Sequence, residues 1–255
     1  MIVTFLGTGT SQGIPVIACD CEVCKSLDFK DKRLRTSIHI EVQGKSIVID
    51  TGPDFRTQVL REKIPRLDAV FLTHEHKDHI SGLDDIRTYN FRQKADIPVY
   101  SVKRVLDRIK IEYAYAFAEI KYPGIPQIDL VEFNTNAFTF EGITITPIEV
   151  FHHKLPVYGF RIGDFTYITD ANYISPEELQ KVKGSKIIVL NCLQKEEHIS
   201  HFNLNQAIEL LTELKPEKAY LTHIGHKMGL HKEVSSRHLP EFIELAYDGL
   251  KLKVE

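Results

Sequence analysis

Positions 74 to 79 read His74-Glu75-His76-Lys77-Asp78-His79, three imidazoles with the carboxylate of Asp78 among them, just after the apolar run Ala69-Val70-Phe71-Leu72. Neutral imidazole suits zinc, manganese, iron or nickel, and a carboxylate among imidazoles favours cations able to activate water. The cluster is internal, unlike a terminal histidine tag. The chemistry it points to is metal-assisted hydrolysis, which requires no Ser or Cys nucleophile.

Other ligands are expected where further β-like runs end, because strand ends gather distant residues at one edge. Residues 145–153 end in His152-His153, residues 165–170 in Asp170 and residues 218–223 in His223. Asp50 also closes a β-like run and is expected behind the metal histidines, accepting an imidazole proton and fixing the tautomer. A leaving alkoxide needs a proton, and His201, in Ser200-His201-Phe202-Asn203-Leu204, is the candidate general acid. His39 and His198 read as structural.

Cys19, Cys21 and Cys24 stand too close together to staple a fold, but they can wrap one metal. His226, three residues past His223, is the expected fourth ligand of a structural zinc site. Cys192 has no neighbouring partner and reads as a buried free thiol. Gly7-Thr8-Gly9 reads as a tight strand-to-loop turn, since no phosphate-loop pattern follows it.

The elements that must position these groups alternate. Strands are expected at residues 2–6, 36–42, 46–50, 69–72, 130–133, 144–150, 165–168 and 186–190, with a hairpin turn at Gln43-Gly44-Lys45. Helices are expected at residues 83–94 and 102–118, after Ser175-Pro176-Glu177-Glu178, and along the stripe Leu204, Ala207, Ile208 and Leu211. A break falls at Pro123-Gly124-Ile125-Pro126. Val70-Phe71-Leu72-Thr73-His74 is echoed by Ala219-Tyr220-Leu221-Thr222-His223, which suggests two halves presenting matching edges. Periodicity alone indicates an α/β protein.

The 255 residues, 43% hydrophobic and 26% charged, are ordinary for a globular protein and can bury a sizeable core. A net charge of −3 gives no general attraction to nucleic acid or anionic lipid, and no apolar run approaches membrane-spanning length. The chain is expected to be cytoplasmic. A homodimer is compatible with the sequence.

The HxHxDH signature resembles that of the metallo-β-lactamase-fold hydrolases. That resemblance implies one α/β domain over residues 1–255, a four-layer αββα sandwich carrying a zinc loop at 19–24. It implies that His74, His76 and one of His152 or His153 bind a first divalent ion. Asp78, His79 and His223 bind a second, and Asp170 bridges both. His152 is preferred because His152-His153-Lys154-Leu155-Pro156 is similar to the family's His-Gly-Lys-Leu-Pro segment, which leaves His153 as a non-ligand. Asp78 would also orient the nucleophile. The two active-site ions would be manganese or zinc.

The run Phe5-Leu6-Gly7-Thr8-Gly9-Thr10-Ser11-Gln12-Gly13-Ile14-Pro15, the CxCxxC cluster with His226, and Tyr247-Asp248-Gly249-Leu250 narrow the resemblance. They are similar to the phosphoribosyl cyclic phosphate phosphodiesterases of phosphonate breakdown, relatives of the tRNA 3′-processing endonucleases. A small phosphate-ester substrate is implied, and His201 falls where that group carries its proposed proton donor. Nucleic acid is the less favoured partner. The long Gly/Pro-rich arm of the endonucleases is missing, and Lys103, Arg104, Arg108, Lys110 and Lys121 beside Tyr113, Tyr115 and Phe117 are explained as well by helix packing. Rival readings are a thioesterase or lactonase of the same fold, and a non-catalytic metal-stabilised binding protein. Arg35, Arg56, Arg87 and Lys154 are candidates for a second substrate phosphate.

Overall fold

The computed structural model describes residues 1–120 and 122–254; Lys121 lies outside them. The strands are β1 (Ile2–Gly7), β2 (Ser37–Val42), β3 (Lys45–Ile49), β4 (Ala69–Phe71), β5 (Ile97–Ser101), β6 (Ile128–Glu132), β7 (Phe138–Phe140), β8 (Ile143–His152), β9 (Leu155–Ile162), β10 (Phe165–Ile168), β11 (Tyr173–Ile174), β12 (Ile187–Asn191), β13 (Lys218–Thr222), β14 (Ile243–Leu245) and β15 (Lys251–Lys253). The α-helices are α1 (Glu22–Lys25), α2 (Phe55–Glu62), α3 (Lys77–Ile80), α4 (Arg87–Gln93), α5 (Lys103–Glu112), α6 (Pro176–Val182), α7 (Leu204–Leu214) and α8 (His231–Arg237).

Two mixed sheets form, ordered β15-β1-β2-β3-β4-β5-β6 and β11-β8-β9-β10-β12-β13-β14, with β7 paired to β8. In each sheet the first three pairings are antiparallel and the last three parallel. The period of two along each strand divides its side chains between two cores. Phe71 of β4 and Val189 of β12 face the space between the sheets, with Phe5, Ile38, Phe160 and Tyr167. Val70 faces outward, beneath Phe55 of α2, Tyr89 of α4 and Val105 and Ile109 of α5. Ile188 and Leu190 face the opposite way, beneath Val182 of α6, the stripe of α7 and Val234 of α8. The layers are therefore helix, sheet, sheet, helix, which is the four-layer sandwich.

Local chemistry explains the junctions. Gln43 and Gly44, with φ of 50° and 74°, make the two-residue turn joining β2 to β3. Ser175 caps α6, accepting from the Glu178 amide, and Asn203 and Gln206 form a reciprocal capping box on α7. The helix expected across 102–118 stops at Glu112. Tyr113 there leaves helical geometry and buries its ring, with its hydroxyl donating to the Ile80 carbonyl at 2.7 Å, and a 3-10 turn follows at Ala114–Ala116. No helix among the described residues is long and apolar enough to cross a membrane.

The Leu-Thr-His echo does not mark equivalent positions. Counted from the matching antiparallel edges, β4 is fifth in its sheet and β13 sixth in the other. The true topological counterparts are β3 and β10, which run into Asp50 and Asp170, and both of these adopt left-handed backbone with φ of 65° and 54°.

Candidate metal centre

The parallel halves of the two sheets deliver candidate ligands where their strands end. Beyond β4 the chain gives His74 and His76, and α3 adds Asp78 and His79. Beyond β10 and β13 it gives Asp170 and His223. His223, like Asp50 and Asp170, turns through left-handed backbone, with φ of 55°. His and Asp tolerate that conformation better than branched residues do, but the surrounding packing must hold it. Gly52 keeps the Asp50 loop close, since a Cβ there would lie 2.0 Å from the Asp78 carbonyl oxygen.

Donor atoms converge in three overlapping groups: His74, His76 and Asp170; Asp78, His79, Asp170 and His223; and His152, Asp170 and His201. Asp170 belongs to all three, and its oxygens divide the work. Oδ2 lies 3.7 Å from His74 Nε2, while Oδ1 lies 3.5 Å from His79 Nε2 and 3.1 Å from His223 Nε2. Asp78 Oδ2 stands 3.3 Å from His79 Nε2 and 3.7 Å from His223 Nε2. His152 lies closer to His201 than to His76, with ring centroids 4.5 Å from His201 and 5.2 Å from His76.

A hydrogen-bonded backing fixes the imidazoles. His79 Nδ1–H donates to Asp50 Oδ2 at 2.7 Å. Thr73 donates its hydroxyl to the same oxygen and its amide to Oδ1, both at 2.9 Å, so its hydroxyl oxygen can accept from His74 Nδ1 at 2.9 Å. Asp50 thus sets the tautomer of two histidines, one directly and one through Thr73, and turns both Nε2 lone pairs into the site. His152 Nδ1–H donates to the Ser200 carbonyl at 2.8 Å, turning its own Nε2 inward. The Nε2 atoms of His74, His79 and His223 are buried with no hydrogen-bond partner. Such orphaned acceptors are costly in a fold unless something else satisfies them, and divalent cations fit the donor set.

Burial and the three carboxylates pull the buried groups in opposite directions. Burial holds His74 well below the usual imidazole range. Burial alone would also lower His79, but the carboxylates of Asp78, Asp170 and Asp50 outweigh it and raise this imidazole well above that range. Burial alone would raise Asp170, yet His223, His79 and His74 bring it well below the carboxylate range. His201 is pushed down to about 3, chiefly by burial and then by His223.

Sequence reasoning missed the threonines. Thr73, Thr169 and Thr222 each precede a candidate ligand; Thr169 donates to Asp170 Oδ1 at 2.7 Å and Thr222 bonds Thr36 at 3.0 Å. The repeated Thr-His pair was the available signal, and it marks a local orienting device. His153 is exposed, with only its backbone amide engaged, by Asn172. His198 is exposed too, but its ring lies 5.2 Å from that of His201. His39 bonds Ser46 at 2.8 Å, away from the site, and Cys192 is fully buried.

At the second cluster, His226 Nδ1 lies 3.2, 3.4 and 3.6 Å from the sulfurs of Cys19, Cys21 and Cys24. Backbone amides point at the thiols: Cys24 N–H donates to Cys21 Sγ and Val16 N–H to Cys24 Sγ. The Cys24 amide, the largest influence, helps lower Cys21 to about 6, while burial pushes Cys24 up to about 11. Three sulfurs and one imidazole nitrogen make a four-donor set of the kind that suits zinc.

The phosphate candidates from the sequence differ in their surroundings. Arg35 is tied to Asp54 and to the Ser11 carbonyl, Arg87 pairs with Asp84, and Arg56 lines a groove between α2 and α4. Lys154 is exposed in the turn between β8 and β9.

Comparison with known proteins gives a consistent picture. Residues 45–224 match the family described as the beta-lactamase superfamily domain. A crystal structure of a diphosphatase from the PhnP family superposes with a TM-score of 0.93 at 38% identity, covering 100% of this chain and 98% of that one. A protein of Porphyromonas gingivalis named octanoyltransferase is 40% identical over 98% of this chain but only 51% of its own length. A ribonuclease Z of Staphylococcus epidermidis is 27% identical over 64% of this chain and 49% of its own. The chain thus spans about half the length of these two curated relatives.

Proposed function

The chain belongs to the β-lactamase superfamily of hydrolases and, within it, to the PhnP family, and from that premise we propose that it is a dinuclear-metal phosphodiesterase acting on a small cyclic phosphate, foremost 5-phosphoribosyl 1,2-cyclic phosphate. The observation that carries this reading is Asp170, whose two oxygens turn to different imidazole sets, as a carboxylate shared by two cations does. His74, His76 and His152 would hold one divalent ion and Asp78, His79 and His223 the other, with Asp170 common to both and manganese or zinc suited to each. Cys19, Cys21, Cys24 and His226 would hold structural zinc. Such thiolate sites persist in reducing compartments, which supports a cytoplasmic setting.

Two divalent ions, when bound, lower the pKa of water toward neutrality and neutralise charge on the phosphoryl oxygens. The protein's part is orientation. Asp78 engages His79 and His223 through Oδ2, which leaves its other oxygen to accept a hydrogen bond from the attacking water. His201 is the proton donor to the leaving oxygen, and an anionic phosphoryl group against its ring raises its proton affinity for that role.

The PhnP-family neighbour is a diphosphatase, which makes a phosphoanhydride the second substrate class for the same donor set. The octanoyltransferase relative is matched over only half its length, so acyl chemistry remains a comparison rather than the assignment. The direct test is hydrolysis of bis(p-nitrophenyl) phosphate during titration with manganese or zinc. Activity should rise until two equivalents beyond the cysteine-site zinc are bound; saturation at one equivalent, or no turnover at any loading, would contradict the dinuclear reading.

A further inference from the structure

Outside the metal cluster, a cavity of about 460 Å³ opens beside the exposed His76 and is walled by Lys77, Arg104, Arg108 and Ile111. That volume is in the range of small-ligand sites, ~300–1,000 Å³. Its cations differ in freedom. Arg104 is fixed between Glu75 and the Pro156 carbonyl, the latter bond at 2.6 Å. Lys77 and Arg108 instead share one carboxylate, Glu112, with Arg108 at 2.5 Å, and their side chains are 62% and 46% exposed. Lys103 and Lys110 likewise share Asp107. Three cations, Lys77, Arg104 and Arg108, line the cavity with two carboxylates, Glu75 and Asp107, in a chain whose net charge is −3.

Resting on the phosphodiesterase reading, we propose that this cavity is the subsite for a second phosphate carried by the substrate, gripped by Arg108 and Lys77 while the reacting phosphoryl group lies at the His/Asp cluster. Arg108 presents a planar fork of donors that can turn from the shared Glu112 to a phosphate, and charge-assisted bonds of that kind are the strong ones. Ile111, 68% exposed, supplies an apolar wall for the carbon skeleton between the two phosphates. A nucleic-acid track would need a run of uncompensated cations, whereas Glu75, Asp107 and Glu112 interrupt this one and favour a single anion.

The test compares kcat/KM on 5-phosphoribosyl 1,2-cyclic phosphate with that on the same compound lacking the 5-phosphate, and measures ribose 5-phosphate binding by calorimetry. Arg108→Gln should shrink the preference for the 5-phosphorylated compound about tenfold, mainly through KM, and weaken ribose 5-phosphate binding by a similar factor, roughly the value of one charge-assisted bond. Arg108→Lys should keep most of both. An unchanged preference with unchanged binding overturns the subsite, as does an equal loss on both compounds. A defect seen only in cleavage of precursor tRNA would overturn it in favour of an RNA contact. Calorimetry needs no turnover, so the two claims fail separately. Arg108-dependent ribose 5-phosphate binding without hydrolysis of bis(p-nitrophenyl) phosphate sinks the phosphodiesterase and keeps the subsite, and hydrolysis of that diester with ribose 5-phosphate binding indifferent to Arg108 does the reverse.

Discussion

Asp50 touches no donor group of the site directly except His79, yet it governs two imidazoles, because Thr73 carries its influence on to His74. Asp50→Asn should therefore lower active-site metal affinity about 10–100-fold, measured by competition with a chelator; affinity equal to wild type would remove the orienting role. Asp50 was legible in the sequence as an acid closing a β-run. Thr73 was not, since a threonine before a histidine carries no message until folding brings the Asp50 carboxylate to 2.9 Å. Asp78→Ala should abolish turnover, and surviving activity would assign water orientation elsewhere. His201→Ala should slow substrates with poor leaving groups more than nitrophenyl esters, which need little protonation. Equal losses on both kinds of substrate would count against a proton donor.

Elements convert these residues into a site, and two of them carry predictions. The cysteine loop with α1 meets the segment after β13 at His226 and at Leu230, which packs against the cluster of Ile14, Val23 and Cys24, so Cys21→Ala should remove one zinc per chain and lower Tm, as metal-coupled folding requires. Unchanged zinc content by elemental analysis would refute it. At the start of α8, burial and then Arg33 hold His231 down at about 4, against 6.5 when unfolded. The unfolded chain therefore binds the extra proton between these values, and stability falls as pH drops from about 6.5 to about 4. His231→Asn should flatten that stretch of a Tm–pH curve; an identical slope would show that other groups set it. The strand runs and the caps at Ser175 and Asn203 follow local rules and were readable. The end of α5 was not, because burial of Tyr113 against the Ile80 carbonyl is a tertiary event.

At the scale of the whole molecule, two sheets with the same sequence of pairings bring Asp50 and Asp170 to corresponding positions, and the other candidate ligands arrive from the ends of β4, β8 and β13 and from α3. The apolar run that carries Phe71 between the sheets was visible in the sequence, but which strands neighbour which was not, and so the Leu-Thr-His echo looked like a duplicated edge. The central claim is that this scaffold hydrolyses a small cyclic phosphodiester. The most direct measurement is kcat/KM of the manganese- or zinc-loaded protein on 5-phosphoribosyl 1,2-cyclic phosphate, beside a 2′,3′-cyclic nucleotide, a nucleoside diphosphate, an octanoyl thioester and a precursor tRNA. The ribosyl cyclic phosphate should be preferred over every other substrate by at least about tenfold, a difference of about 1.4 kcal/mol in transition-state binding. Preference for the thioester, the diphosphate or the RNA, with the cyclic phosphates left intact, would contradict it.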